Sequence, residues 1–321
     1  MNFPYCDTNP YPFSDDIFAD EDGVGYALRM ADANALSFHK LAVHLTSSAL
    51  SYLPYESASA LAFMFGGTVR YIERALVRPH VENGARAADY VGQTFLRRRH
   101  LRQTHPQICP TCLFEEQRAL AAWSLTMMCC CTRHKTCLVD RCACGRPVSW
   151  YRKSLLVCSC GRIVFDAHKK QLPAPDGALA ICQQIEYLLG PAHFQLRSPG
   201  SVLSIFDGTT LDTFLRLVWA IGNFAGNCSI SKPRIMEALP APPHVMQIAD
   251  TAYHRIQTLL TGRPSTSLRL WIPDLISVAE DVANPADQAL VISLIERIRP
   301  ANLKARSVRG LPVAQGRLFE D

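Results

Sequence analysis

The sequence predicts a mainly α protein with a small α+β double zinc-ribbon module in its middle. Two observations carry this reading. Apolar residues recur at helical spacing on both sides of the middle, and most of the thirteen cysteines crowd between residues 109 and 160. Five segments follow: an extended N-terminal arm over 1–20, a helical part of helix-turn-helix dimensions over 21–104, the double zinc ribbon over 105–170, a C-terminal helical domain over 171–300 and a basic, flexible tail over 301–321.

Bulk composition narrows the classes. With 48% hydrophobic residues in 321, ordinary cores can form and a disordered chain is excluded. A net charge of +5 is too small to mark a nucleic-acid partner by itself, so local clustering must carry that argument. No secretory signal and no charge-free run of eighteen apolar residues is visible, so a cytoplasmic protein with no membrane span is expected. Thiols stay reduced there, which favours metal ligation over disulfides.

Each element has its own signal. Asp22 caps a first helix with Val24, Leu28, Met30 and Ala31 inward, and Ser37 caps a second with Leu41, Ala42 and Leu45 inward. Asn34–Ala35–Leu36 forms the turn between them, and the pair has the dimensions of a helix-turn-helix or of two bundle helices. Gly66–Gly67 bends the helical pattern that follows. Trp123 reads as a core anchor, and "WSLTMMCC" as a strand. Beyond residue 170, Asp176 caps a helix that stops at Gly190, with Ile181, Ile185 and Leu188 inward. A second apolar stripe is Leu211, Phe214, Leu215, Val218 and Ile221, and a third is Val245, Ile248, Ala252, Ile256 and Leu259. Asn284 caps a last helix with Pro285 at its first position.

Structural zinc takes four tetrahedral N/S ligands, usually as two short chelating pairs. Cys109-Pro-Thr-Cys112 is one pair, and Cys131-Thr-Arg-His134 matches it eighteen residues on. Pairing His134 with Cys129 or Cys130 instead lengthens the turn, so Cys131 is preferred and its two neighbours pack as small hydrophobes. "CACG" at 142–145 and "CSCG" at 158–161 supply Cys142, Cys144, Cys158 and Cys160 for a second site, with a small hairpin between them. Both sites are closed, with no corner left for water, which points to two structural Zn²⁺ ions. Cys6, Cys182 and Cys228 stand alone as packing residues, and His39 and His44, five apart, suit no shared ligand. No nucleophile elbow, Walker loop, dinucleotide fingerprint or zinc-protease motif is present, so no enzyme is expected.

The order "DEDGVGYALRMADANALS", "ICPTCL", "AAW", "CTRHKTCLVDRCACG", "CSCG" resembles the TniQ family over roughly residues 15–165. It departs from the family in its CxC spacing at the second site and in Lys135, where the family often has Gly. The resemblance implies a non-catalytic adaptor that helps direct bacterial transposons to target sites. Such a protein joins target DNA, or a CRISPR RNA-guided effector complex, to an AAA+ regulator that recruits the transposase, in some systems as a homodimer. Candidate contacts for nucleic acid or a partner are Arg97, Arg98, Arg99 and Arg102 in the densest basic run, with a solvated helix face as its plain alternative, and Tyr151, Arg152 and Lys153 between the CxCG pairs. The competing functions are a stand-alone zinc-ribbon or helix-turn-helix transcriptional regulator and, more remotely, a zinc deaminase or nuclease. The last lacks the H-x-E element that such chemistry needs.

Overall fold

A computed structural model describes residues 10–46, 52–82, 84–190, 201–223, 239–261 and 272–298. Cys6, Cys228 and the basic tail lie outside the described residues. The fold begins where the sequence puts its cap. The Asp22 carboxylate accepts from the N–H of Val24 (2.8 Å) and of Gly25 (2.9 Å), and α1 runs Gly23–Ala33. The turn passes through Ala35 at φ 55° into α2 (Phe38–Thr46). After α3 (Ala58–Phe65), Gly66 adopts φ 79° as a left-handed cap and the chain bends into α4 (Val69–Ala75).

The helical reading of 21–104 then fails. β1 (Arg78–Glu82), β2 (Ala85–Tyr90) and β3 (Gln93–Phe95) form an antiparallel sheet in that order, with Arg78 opposite Asp89 and Ala88 opposite Phe95. Val91 and Gly92 close β2 onto β3 with φ of 48° and 77°, the conformation a two-residue hairpin loop demands. Valine resists that region, and here it is held by burial and by its N–H on the Arg74 carbonyl at 2.8 Å. The strands escaped notice because β1 lies largely exposed and β2, "ARAADY", is poor in β-branched residues.

The middle of the chain is short elements on a dense core. α5 spans Pro110–Glu116, and a 3₁₀ turn over Ala121–Ser124 buries Trp123. Of the expected strand "WSLTMMCC", Leu125 makes an isolated bridge to Leu101 and only the end enters a ladder: β4 (Cys130–Cys131) runs against β5 (Thr136–Cys137). The rest is buried but irregular. The C-terminal helices are α6 (Asp176–Leu189), α7 (Leu211–Gly222), α8 (Pro242–Leu260), α9 (Ile272–Asp281) and α10 (Pro285–Ile298). Asp176 opens α6 from its first turn, with Pro175 in the cap position, and Gly190 ends it. Asn284 caps α10 through its side chain, accepting from the Ala286 N–H at 2.9 Å. The stripe of α7 is fully buried, and Gly222 lets α8 approach so closely that a Cβ would stand 2.2 Å from the Ile248 carbonyl oxygen. One buried apolar cluster reaches from Ile17 to Ile295.

Asp22 ties three parts together. Beyond its cap bonds, Oδ2 accepts from the Tyr90 hydroxyl on β2 (2.6 Å) and from Ser124 beside Trp123 (2.7 Å). We expect Asp22→Ala to cost about 3–5 kcal/mol, from a lost cap, a buried Ser124 hydroxyl left without an acceptor and a Tyr90 hydroxyl left with only the Ala121 carbonyl at 3.2 Å. Asp22→Asn, which can still cap, should cost less. Urea unfolding of both variants measures it, and a loss under about 1 kcal/mol in Asp22→Ala would contradict the linkage.

Candidate metal centres

The first cluster is assembled by a helix start and a tight loop. Cys109 occupies the cap position of α5 with Pro110 next, so Cys112 comes round one turn later onto the same side. Cys131 ends β4, and the chain turns back through Lys135, whose N–H reaches the Cys131 carbonyl at 2.8 Å. Lys135 sits at φ 53°, the left-handed region glycine occupies most easily. The His134 N–H points at the Cys131 sulfur at 3.3 Å. His134 Nδ1 lies 3.5, 3.1 and 3.6 Å from the sulfurs of Cys109, Cys112 and Cys131, and Cys112 Sγ lies 3.5 Å from Cys131 Sγ.

These separations suit zinc. Thiolates about 2.3 Å from a tetrahedral ion stand about 3.8 Å apart. Three thiols cannot all ionise at this range, beside a neutral imidazole, unless a cation sits among them. Cys109, Cys112, Cys131 and His134 therefore lie where they could hold Zn²⁺, and Cys129 and Cys130 are not among them. Sequence reasoning missed Glu115, whose carboxylate stands 3.3 Å from His134 Nε2. It can hold the imidazole with Nδ1 free for metal. Glu116 pairs with Arg133 and, at 2.9 Å, with Arg118, which reaches Asp20 at 3.1 Å. The knuckle is thus pinned to the N-terminal segment.

The second cluster is two copies of one device. Gly145 N–H bonds the Cys142 carbonyl at 2.8 Å, and Gly161 N–H bonds that of Cys158 at 2.9 Å. Cys142 and Cys158 donate to the carbonyls of Arg146 and Arg162, each at 2.9 Å. Both glycines take positive φ, 86° and 83°, which explains the trailing Gly of each CxCG. Cys142, Cys144, Cys158 and Cys160 converge, with Cys142 Sγ 3.9 Å from Cys160 Sγ. The hairpin expected between the pairs is instead an irregular loop. Trp150 is buried beneath it, and Arg152 bonds the carbonyls of Ser149 (2.8 Å) and Ser154 (3.0 Å).

Two of the candidate cations are therefore used internally. Arg152 is buried, and Arg102, 1% exposed, bonds the Pro240 carbonyl and faces Asp140 at 3.7 Å. Neither presents a charge to a partner, and both leave the candidate set. Tyr151 packs on Phe38 and His39 of α2, with ring centroids 5.9 and 5.6 Å away, while Lys153 is exposed. The run from Arg97 is not a solvated helix face either. It forms a 3₁₀ turn over Arg98–His100 that docks on the C-terminal helices. Arg97 pairs with Asp281 on α9, Arg98 bonds Gln103 at 2.8 Å, and Arg99 is half-buried close to Arg97 and Arg216, which together with burial lower its pKa. Cys182 on α6, read as isolated, lies 3.8 Å from Cys129.

A helical body carries two closed clusters of four donors, each able to hold a metal ion. Residues 12–138 match the TniQ family model, so this part of the chain is similar to that family. The match takes in all four ligands of the first cluster and ends before Cys142, short of the span to 165 that the motifs suggest. No curated protein matches the chain. Among the described residues, no helix is long and apolar enough to cross a membrane.

Three outcomes are expected. Cys131→Ala and Cys158→Ala should each lower zinc content by one ion, read by elemental analysis. Glu115→Ala should keep the ion but weaken its retention about tenfold against a chelator. His100 is buried among the arginines with both ring nitrogens unpartnered, and burial first, then Arg99, pushes its pKa down to about 3. An unfolded chain takes up that proton below about pH 6.5 while the fold does not, so stability is full above that value and falls as pH drops. His100→Phe should therefore lose about 1 kcal/mol less than wild type between pH 7 and 5.5. Equal losses would exclude His100 as the source.

Proposed function

We propose that this protein is a non-catalytic, zinc-held adaptor in DNA transposition. In this reading Cys109, Cys112, Cys131 and His134 hold one structural zinc, and Cys142, Cys144, Cys158 and Cys160 a second. The protein connects target recognition to an AAA+ regulator and, through it, to the transposase. The observation that carries this is the family match running through the whole first cluster. Donors that close on one another leave no position for a reacting water, which suits a scaffold.

A stand-alone helix-turn-helix regulator is the weaker reading for a specific reason. A recognition helix reads bases with its N-terminal residues. Here the first turn of α2, Phe38 and His39, packs on Tyr151 of the ribbon loop. Target DNA enters the proposal through the charges that remain on the surface, Arg98 and Lys153. Arg97 and Arg99 serve the joint with the C-terminal helices. Whether the target is read directly or through an RNA-guided complex, and whether two copies act together, belong to the same experiment.

That experiment is affinity capture of the tagged full-length chain from its native host, with mass spectrometry and nucleic-acid sequencing of what is retained. The expected result is an AAA+ ATPase of a transposition system, lost with Cys131→Ala. Sequence-specific DNA binding with no such partner would overturn the adaptor reading in favour of the regulator. If DNA is bound, Arg98→Gln should flatten the log–log salt dependence by about 0.9, one phosphate contact, without altering zinc content.

A further inference from the structure

The two clusters do not exhaust the thiols. Cys129, Cys130 and Cys182 also bring their sulfurs within 4.8 Å of one another, the same mutual range as in the other two clusters. Cys129 Sγ lies 3.7 Å from Cys130 Sγ and 3.8 Å from Cys182 Sγ. These are the edge lengths of a thiolate set about 2.3 Å from a zinc ion, roughly 3.8 Å. All three side chains are fully buried.

The donors come from two elements. Cys129 and Cys130 lie at the start of β4, and Cys182 is in the middle of α6, the first C-terminal helix. The thiol that can complete the set is Cys137 on β5, directly opposite Cys130 in the ladder and itself buried, although its sulfur is not among the three that lie within 4.8 Å of one another. Directly opposed residues share a face of the ladder, so the Cys137 side chain lies beside that of Cys130. One turn beyond Cys182, Glu186 is buried with Oε1 on the Thr132 hydroxyl at 2.8 Å and Oε2 without a partner. Packing alone accounts poorly for this place. Small apolar residues would fill it equally well, so packing by itself does not call for three thiols at this point.

We propose that Cys129, Cys130 and Cys182 hold a third thiophilic cation, a zinc ion, with Cys137 as the fourth sulfur. Each ligating thiol gives its proton to solvent as the ion binds. The ion clips α6 to the ladder that carries Cys131, so the C-terminal helices and the first knuckle become one rigid unit. Its role is structural, and it stands apart from the adaptor reading, since neither other cluster includes any of these residues.

The test uses the full-length protein, expressed with zinc and kept reduced. Elemental analysis should give three zinc ions per chain, falling to two in Cys182→Ala and in Cys129→Ala. Because either variant can also lose packing, a second measurement needs no mutation. Exchange of zinc for cadmium gives a thiolate-to-metal charge-transfer band whose intensity counts the sulfurs bound. The first two clusters supply seven thiolates, three and four, and the third site raises that to eleven. Two zinc ions with seven cadmium-bound thiolates would overturn the proposal and leave four protonated thiols in a packed core. So would a zinc content unchanged in a folded Cys182→Ala. Loss of an ion from Cys131→Ala or Cys158→Ala is read separately, so failure of the third site leaves the other two untouched.

Discussion

The Asp22 carboxylate is buried, and four donors meet it: two backbone N–H groups of α1, the Tyr90 hydroxyl from the sheet and the Ser124 hydroxyl beside Trp123. An unpaired charge here would be expensive, and burial does raise its pKa against the pull of those bonds. The four bonds make the position tolerable only if α1, β2 and the Trp123 turn stand in one arrangement. The Asp22 N–H on the Ala119 carbonyl at 2.8 Å adds a further tie to the segment leading out of α5. The first knuckle inherits its position from this point, because the segment from Ala119 to Ser124 links α5, with Cys109 and Cys112, to the stretch that ends in Cys131.

In the proposed reading, metal would do locally what Asp22 does at the centre, with ligand bonds holding the short knuckle loops. Glu115 and the chain Asp20–Arg118–Glu116–Arg133 join the first cluster to the body by charge. Arg152 joins the second loop to itself through backbone carbonyls, with its guanidinium 5.5 Å from the Trp150 ring. Of these, Arg152 is a cation that a linear reading assigns to a partner.

The basic run shows why. In sequence, Arg97 to Arg102 looks like a surface stripe. In space it lies where β3 and its extension meet α7 and α9: the Leu96 N–H bonds Asp212 at 3.1 Å, Arg216 bonds Asp281 at 2.9 Å, and Arg97 joins the same carboxylate. A charge count cannot reveal that the acidic partners arrive more than a hundred residues later. The same holds for Cys182, whose neighbours Cys129 and Cys130 are distant in sequence and adjacent in the fold. β1 to β3 were hidden for another reason, since their side chains carry no clear alternation and their pairing depends on the Val91–Gly92 turn being held by Arg74.

By itself the sequence determined what depends on spacing and local backbone chemistry: the Asp22 and Asn284 caps, the breaks at Gly66 and Gly190, the buried stripes of α7 and α8, and the two Cys/His groups that converge in space. Those groups are legible because chelation needs donors a few residues apart and a turn that glycine or proline permits. Tertiary structure alone decided which charges face outward, that Glu115 orients His134, that a sheet stands before the first knuckle, and that a third group of thiols meets between β4 and α6. Those outcomes rest on contacts between residues far apart in the chain, and burial and pairing there are set by packing, which no local pattern records.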